Sequence, residues 1–354
     1  MQSMHQLSQQ KNIYVVLGMA RSGTSVITNG LKTLGIDLGE KLYRADERNP
    51  KGFWEDEEIV YKINENALLL LNHPWMSIRL LKKCELVNNP VLQALQVAAV
   101  QLLSHRFKTT DHWAFKDPRT VTLLPFWQSV FNVLGMNEKY VIVLRNPLGC
   151  AHSYQKLAKQ DVEIGLLLWL MHLISAVEET WERKKIIVSY ELMLDNPQRE
   201  LVRIHHDLSI PFPLNHETIE DYAKQFLDKK LHHYVFNLAE LKSHPAIAVV
   251  PLCVKVYELL LQLAGDEITF DTPSFQTAWK EIKKEFTALY PVYSYINTLL
   301  QRNKQSQKTL HTIRKSLPWK ISYPLRLLDD TLRTGRKKRR AENKLRQAGI
   351  SHSR

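Results

Sequence analysis

The residues whose types and spacing carry the clearest chemistry stand near the N-terminus, in Gly18-Met19-Ala20-Arg21-Ser22-Gly23-Thr24-Ser25. They follow a short apolar run, 13–18, and open a helical pattern of Val26, Ile27, Leu31 and Leu34 that ends at Gly35. A glycine-bearing loop between strand and helix turns backbone amides inward, and the helix adds its positive dipole end, so the loop suits an anion. Glycines at 18 and 23 permit the turn, while Thr24 and Ser25 offer hydroxyl donors. The spacing matches the nucleotide loop G-x-x-x-x-G-K-[ST], except that Thr24 replaces its lysine and the cation, Arg21, comes three residues earlier. In nucleoside triphosphate sites that lysine holds the β/γ-phosphates and the Ser/Thr holds Mg²⁺. A two-unit anion that needs no metal suits the present loop better.

A second cationic segment follows the apolar run 140–144: Arg145-Asn146-Pro147, then Ser153 and Tyr154. Pro147 pre-sets a helical turn. An Arg at a strand end with a Ser two turns into the helix can hold one more phosphate, away from the first loop.

The elements that must position these residues read as alternating strand and helix. Apolar runs at 113–116, 140–144 and 186–188 join the run at 13–18, with helix-length segments between them. The predicted fold is α/β, a P-loop-type parallel sheet flanked by helices, with a helical C-terminal part. Between 57 and 107, helical spacing is broken at His73-Pro74 and Asn88-Asn89-Pro90, which predicts two or three helices. The longest apolar run, 164–177, is interrupted by His172 and Ser175, is too short to span a bilayer, and is expected as a buried helix. The expected organisation is a flexible N-terminus at 1–12, one domain at 13–300 and a basic arm at 301–354.

Together, A-R-S-G-T-S and R-N-P-L-G-C-A-H-S resemble the PAPS-dependent sulfotransferases, where PAPS is 3′-phosphoadenosine-5′-phosphosulfate. In that family a 5′-phosphosulfate loop of the P-[KR]-S-G-[TS]-[TS] type precedes a 3′-phosphate motif with a Ser eight residues beyond its Arg. The chain departs at Ala20, usually Pro, and at Gly149, where an acid is frequent. The resemblance implies that Arg21, Ser22, Gly23, Thr24 and Ser25 bind the 5′-phosphosulfate and that Arg145 and Ser153 bind the 3′-phosphate. Val188-Ser189-Tyr190-Glu191 looks like a third family segment, which implies Tyr190 near the adenine. Asn49-Pro50-Lys51-Gly52-Phe53-Trp54-Glu55 and Phe115-Lys116-Asp117-Pro118-Arg119 look like bacterial sulfotransferases acting on carbohydrate. The resemblance covers about residues 12–235.

Sulfuryl transfer needs in-line geometry, cations on the transferring oxygens and a base for the acceptor proton. The expected reaction is metal-independent. Arg21 would stabilise the leaving phosphate, and Lys116, at a strand's carboxyl end, would contact the sulfuryl oxygens. Glu55 is the expected base and Asp117 the reserve, although the run Glu55-Asp56-Glu57-Glu58 also reads as the acidic first turn of a helix. Trp54, Asp117 and His232 are the expected substrate contacts, with a carbohydrate or glycolipid hydroxyl, or an amine, as acceptor. A degenerate P-loop nucleotidase or kinase, with Asp117 as its acid, and a non-catalytic anion-binding protein using the basic tail stay open as alternatives.

The net charge of +12 is a property of the C-terminus. Residues 301–354 hold 16 Lys/Arg against three acids, whereas the first 300 hold 32 basic and 33 acidic residues. This excess predicts attraction of the arm to anionic lipid rather than to nucleic acid, since aromatic interleaving of the RNA-binding kind is missing. Cys84, Cys150 and Cys253 are too dispersed for a disulfide framework, and the polar start lacks a signal-peptide core. The expectation is a cytoplasmic protein, peripheral at the inner membrane face.

Overall fold

The computed structural model describes residues 10–47, 49–227, 234–326, 331 and 333. Strands β1 (Asn12–Leu17), β2 (His112–Lys116), β3 (Asn137–Leu144) and β4 (Lys184–Ser189) form one parallel sheet in the order β2-β1-β3-β4. All four fall where the apolar runs predicted them, and helices flank the sheet as expected of the fold class. The central strand β1 is buried along its whole length, which is why it reads as an unbroken apolar run rather than an alternating one.

One face of the sheet is covered by the helices Thr24–Thr33 and Pro197–Asp207, whose Ile27, Leu31, Leu201 and Ile204 pack with Tyr14, Val16, Val141 and Val143. Elsewhere Phe115 of β2 meets Trp127 of the helix Leu124–Val133 at 5.1 Å between ring centroids. The chain passes from β1 to β2 on one side, then crosses to β3 on the other. A topological switch therefore lies at the carboxyl end of β1, where open α/β sheets leave a crevice.

Between β1 and β2 the interrupted helical pattern becomes a π-helical turn, Ile59–Asn64, running into a helix at Glu65–Leu70, then a short helix at Lys83–Leu86 and a longer one at Gln93–Arg106. The apolar run 164–177 lies in the helix Val162–Glu179 and is buried nearly all round. Among the described residues no single helix is long and apolar enough to cross a membrane. By compactness the chain forms two units, divided between Ser294 and Tyr295 within the helix Pro273–Lys315. The second unit continues that helix and adds a short one, Leu317–Ile321, after Ser316.

Gly165 sets how closely Val162–Glu179 approaches the helix Pro147–Ala158: a Cβ there would lie 2.7 Å from the Ala151 Cα. Because that obstacle is backbone, it cannot rotate aside. Gly165→Val is expected to lower the unfolding free energy by about 1–3 kcal/mol through overpacking, measured by urea titration. An unchanged midpoint would show that the two helices separate freely.

Candidate functional site

The four strands deliver their following residues to one edge. β1 ends at the loop 18–23, β2 at Lys116, β3 at Leu144 just before Arg145, and β4 at Ser189 just before Tyr190. Leu144 and Ser189 are register partners, so Arg145 and Tyr190 emerge side by side, with the guanidinium 4.8 Å from the ring centre. A cavity of about 680 Å³ opens there, lined among others by Arg21, Gly23, Thr24, Ser25, Glu55, Lys116, Arg145, Ser153 and Tyr190.

The loop is held by its own backbone. Gly23 has a φ of 89°, and a Cβ on it would lie 2.2 Å from the Tyr190 ring, so both conformation and contact require glycine. Thr24 begins the helix beyond, and its backbone end faces the cavity. Ser22 is fully buried, and its hydroxyl and its amide both donate to the Met19 carbonyl, at 2.7 and 3.1 Å. Its expected contact with the anion is therefore corrected: Ser22 shapes the turn and does not line the cavity. Ser25 lines the wall while donating to the Phe53 carbonyl at 3.0 Å and accepting from Asn49 at 3.1 Å, which fastens the segment around 49–55 to the loop.

Arg21 reaches from the loop to the second segment, its Nε donating to Ser153 Oγ at 3.0 Å. Arg145 donates from Nη1 to the Arg21 carbonyl at 2.7 Å and from Nη2 to the Tyr234 carbonyl at 3.3 Å. Its Nε is buried without a hydrogen-bond partner among the described residues. Burial, and then the neighbouring Arg145, hold the Arg21 guanidinium below its usual value. Two guanidiniums brought together at a half-buried wall, with an unsatisfied N–H beside them, make a place suited to a multiply charged anion. Gly149 explains one departure from the motif: a Cβ there would sit 3.0 Å from the Tyr234 carbonyl and 3.2 Å from Arg145 Nε, so residue 234 takes the space an acidic side chain would need.

The third segment acts through Glu191. Its carboxylate accepts from the Asn146 amide at 2.9 Å and from Ser189 Oγ at 3.1 Å, and Asn146 in turn caps the helix Pro147–Ala158 through Leu148 N. The Arg145 loop is thus clamped by a residue whose sequence signal was its place beside Tyr190.

On the other side of the loop, Lys116 Nζ lies 2.5 Å from Glu55 Oε1 and 3.5 Å from Ser25 Oγ. Lys116 is 2 % exposed and Glu55 8 %. Burial lifts the Glu55 carboxyl above the ordinary 4.5, the Lys116 ammonium opposes that rise, and Asp117 adds to it. The first-turn role belongs instead to Asp56, whose carboxylate accepts from the amides of Glu58 and Ile59 at 2.9 and 3.0 Å. Glu55 is free of that duty and faces the cavity.

Two further expectations are corrected. Asp117 is fully buried and is not at the wall: it accepts from Arg119 N at 2.9 Å, from Arg119 Nη1 at 3.1 Å and from Asn64 at 2.9 Å. A carboxylate so occupied suits neither a base, a substrate contact nor the metal-bearing acid of a nucleotidase. Trp54, at a φ of 58°, turns away from the cavity to pack edge-on against Phe226 and to bond the Lys51 carbonyl at 2.9 Å. The aromatic wall is built instead by Phe53, Tyr43, Tyr61 and Trp75, with Arg119 over Trp75 at 5.1 Å. His232 lies outside the described residues. Lys156, one turn beyond Ser153, also lines the cavity; its signal was its i+3 spacing from Ser153.

No family model matches the chain, and no curated protein matches it. Among solved structures, it is similar to the sulfotransferase domain from the Synechococcus PCC 7002 olefin synthase, with 16% identity, 71% of this chain and 96% of that domain covered, and a TM-score of 0.41. It is also similar to the sulfotransferase domain from the curacin biosynthetic pathway, with 14% identity, 78% and 98% covered, and a TM-score of 0.37. At these scores neither carries a residue's role or a function to this chain.

The buried ion pair generates a pH-dependent prediction. In Lys116→Met, Glu55 stays buried without its cation, so its folded pKa rises further above the unfolded value of about 4.5. A raised folded pKa favours the fold at low pH, and that contribution is lost as pH rises through it. The variant is expected to lose about 3–5 kcal/mol at pH ~8 and markedly less at pH ~5, measured by urea denaturation. Equal losses at both would mean that the pair is solvated.

Proposed function

We propose that this chain transfers the sulfuryl group of PAPS to an acceptor hydroxyl, most readily that of an uncharged sugar. The observation that carries the reading is the polarity of one cavity. Its Arg21–Arg145–Lys156 end is lined by cations, and its other end combines the Lys116–Glu55 pair with a wall of aromatic rings.

In this reading the 5′-phosphosulfate lies over the loop amides and Arg21, and the 3′-phosphate lies against Arg145 and Ser153, with Tyr190 beside the adenine. The acceptor oxygen attacks sulfur in line with the bridging oxygen. The S–O bond to the 5′-phosphate breaks, its electron pair leaves with adenosine 3′,5′-bisphosphate, and Glu55 takes the acceptor's proton. Lys116 is held between Glu55 and Ser25, so it can move its charge from the carboxylate to the sulfuryl oxygens as they gain electron density. That transfer frees Glu55 at the moment it must act as base.

Support for a neutral acceptor comes from the balanced charge of the acceptor end. Glu47, Glu55 and Glu65 stand there with Lys51, Lys116 and Arg119, and Glu55 pairs with Lys116 and Glu65 with Arg119, so the two signs balance and an anionic substrate would gain no net attraction. Tyr43, Phe53, Tyr61 and Trp75 supply flat apolar faces of the kind a sugar ring stacks on.

Thermal shift with adenosine 3′,5′-bisphosphate and with Mg-ATP tests the donor half: stabilisation by the bisphosphate is expected, and stabilisation by Mg-ATP alone would replace this reading with a nucleotidase. Glu55→Gln is expected to lower kcat by about 10²–10⁴ while leaving the bisphosphate shift intact. The wild-type rate should rise with pH through a midpoint above the ordinary glutamate value of 4.5, since burial raises that carboxyl. A radiolabelled-sulfate panel should favour neutral sugars over uronic acids; preference for uronic acids would refute the acceptor class.

A further inference from the structure

The second unit carries a surface that the transfer reaction does not use. From 295 to 326 the sequence holds seven Lys/Arg and no Asp or Glu. Over the same span Tyr295, Leu299, Leu310, Ile313, Leu317, Ile321, Tyr323 and Leu325 are all exposed, Leu317 and Ile321 by 69 % and 70 %. Leaving that much aliphatic surface in water is costly, so these side chains need an apolar partner.

Their arrangement says which kind. At the helical repeat, Tyr295, Leu299, Leu310 and Ile313 fall within about 60° of one another, while Lys304, Lys308 and Lys315 fall on the opposite side and Arg302 and Arg314 flank the apolar stripe. Beyond the break at Ser316, the helix Leu317–Ile321 presents Leu317 and Ile321 on one side and Trp319 on the other, where Arg326 stacks on its ring at 3.8 Å. An aromatic with a cation against its face, beside exposed aliphatic residues and with no carboxylate between 295 and 326, combines an amphipathic ring with fixed positive charge. A duplex would meet the cations but leave the leucines and isoleucines in water. An acidic protein surface would answer the charge, whereas an anionic bilayer answers charge and apolarity together.

We infer that residues 295–326 form a peripheral binding surface for anionic phospholipid, with Leu317 and Ile321 entering the headgroup boundary and Trp319, its ring against Arg326, lying along it with the lysines and arginines. The inference is independent of the transfer reaction and stands or falls without it.

The experiment uses the full chain with sedimented vesicles of phosphatidylcholine alone and of phosphatidylcholine mixed with phosphatidylglycerol. Binding to the mixed vesicles, weakened by salt and reduced by about tenfold in Leu317→Glu/Ile321→Glu, is the expected result. The same variant should keep its thermal midpoint, because both side chains are exposed. Quenching of Trp319 by brominated lipid, read as the difference between the wild type and Trp319→Phe, should accompany binding. No binding to either vesicle overturns the inference, as does equal binding to both. So does binding that the double substitution leaves untouched. A concentration-dependent dimer, dissociated by the same substitutions and without affinity for vesicles, would assign the face to a second copy of the chain and equally overturn it.

Discussion

A buried guanidinium is the constraint around which the site is organised. Arg145 is 6 % exposed, its hydrogen bonds run to two carbonyls, its face lies on Tyr190, and its Nε has no partner among the described residues. Such a cation is costly to desolvate, and the surroundings are arranged to keep it in place rather than to neutralise it. Glu191 ties the backbone next to it, Trp169 donates to the Arg145 carbonyl at 3.0 Å, and Asn146 caps the helix that follows. In the proposed function, that charge complementarity is left for the donor's phosphate.

The parallel sheet explains why so few residues suffice. Strands of one direction end at one edge, so the loop after β1, the lysine ending β2, the arginine after β3 and the tyrosine after β4 converge without any long connection between them. The same convergence separates the signs of charge. Cations from β1 and β3 gather at one end of the cavity, whereas the lysine of β2 meets a carboxylate supplied by the segment between β1 and β2.

What the sequence made legible was what depends on local spacing. The four strands, the loop and the pair Arg145 and Ser153 are each fixed by runs of a few residues, and the structure brings Arg21, Ser153, Arg145 and Tyr190 to one place. Two misreadings came from side chains whose direction depends on the path of the chain. Phe53 and Trp54 are adjacent aromatics, and only the left-handed backbone at Trp54 decides that the first faces the cavity and the second the core. Asp117 follows Lys116 at the end of β2, and composition could not tell that Arg119 and Asn64, residues distant from each other in sequence, would occupy its oxygens. Tyr43, Tyr61 and Trp75 carried no motif, since a wall assembled from separate turns has no period to read.

The contact between Gly23 and Tyr190 has a bearing on how the cradle works. A ring packed where a Cβ would lie leaves the loop no room to swing toward β4, and the ring is itself covered by Arg145. The loop backbone is therefore held in one conformation, and in the proposed function little of the donor's binding energy would be consumed in ordering it. A rigid receptacle of this kind works as a template, to which the flexible partner must conform.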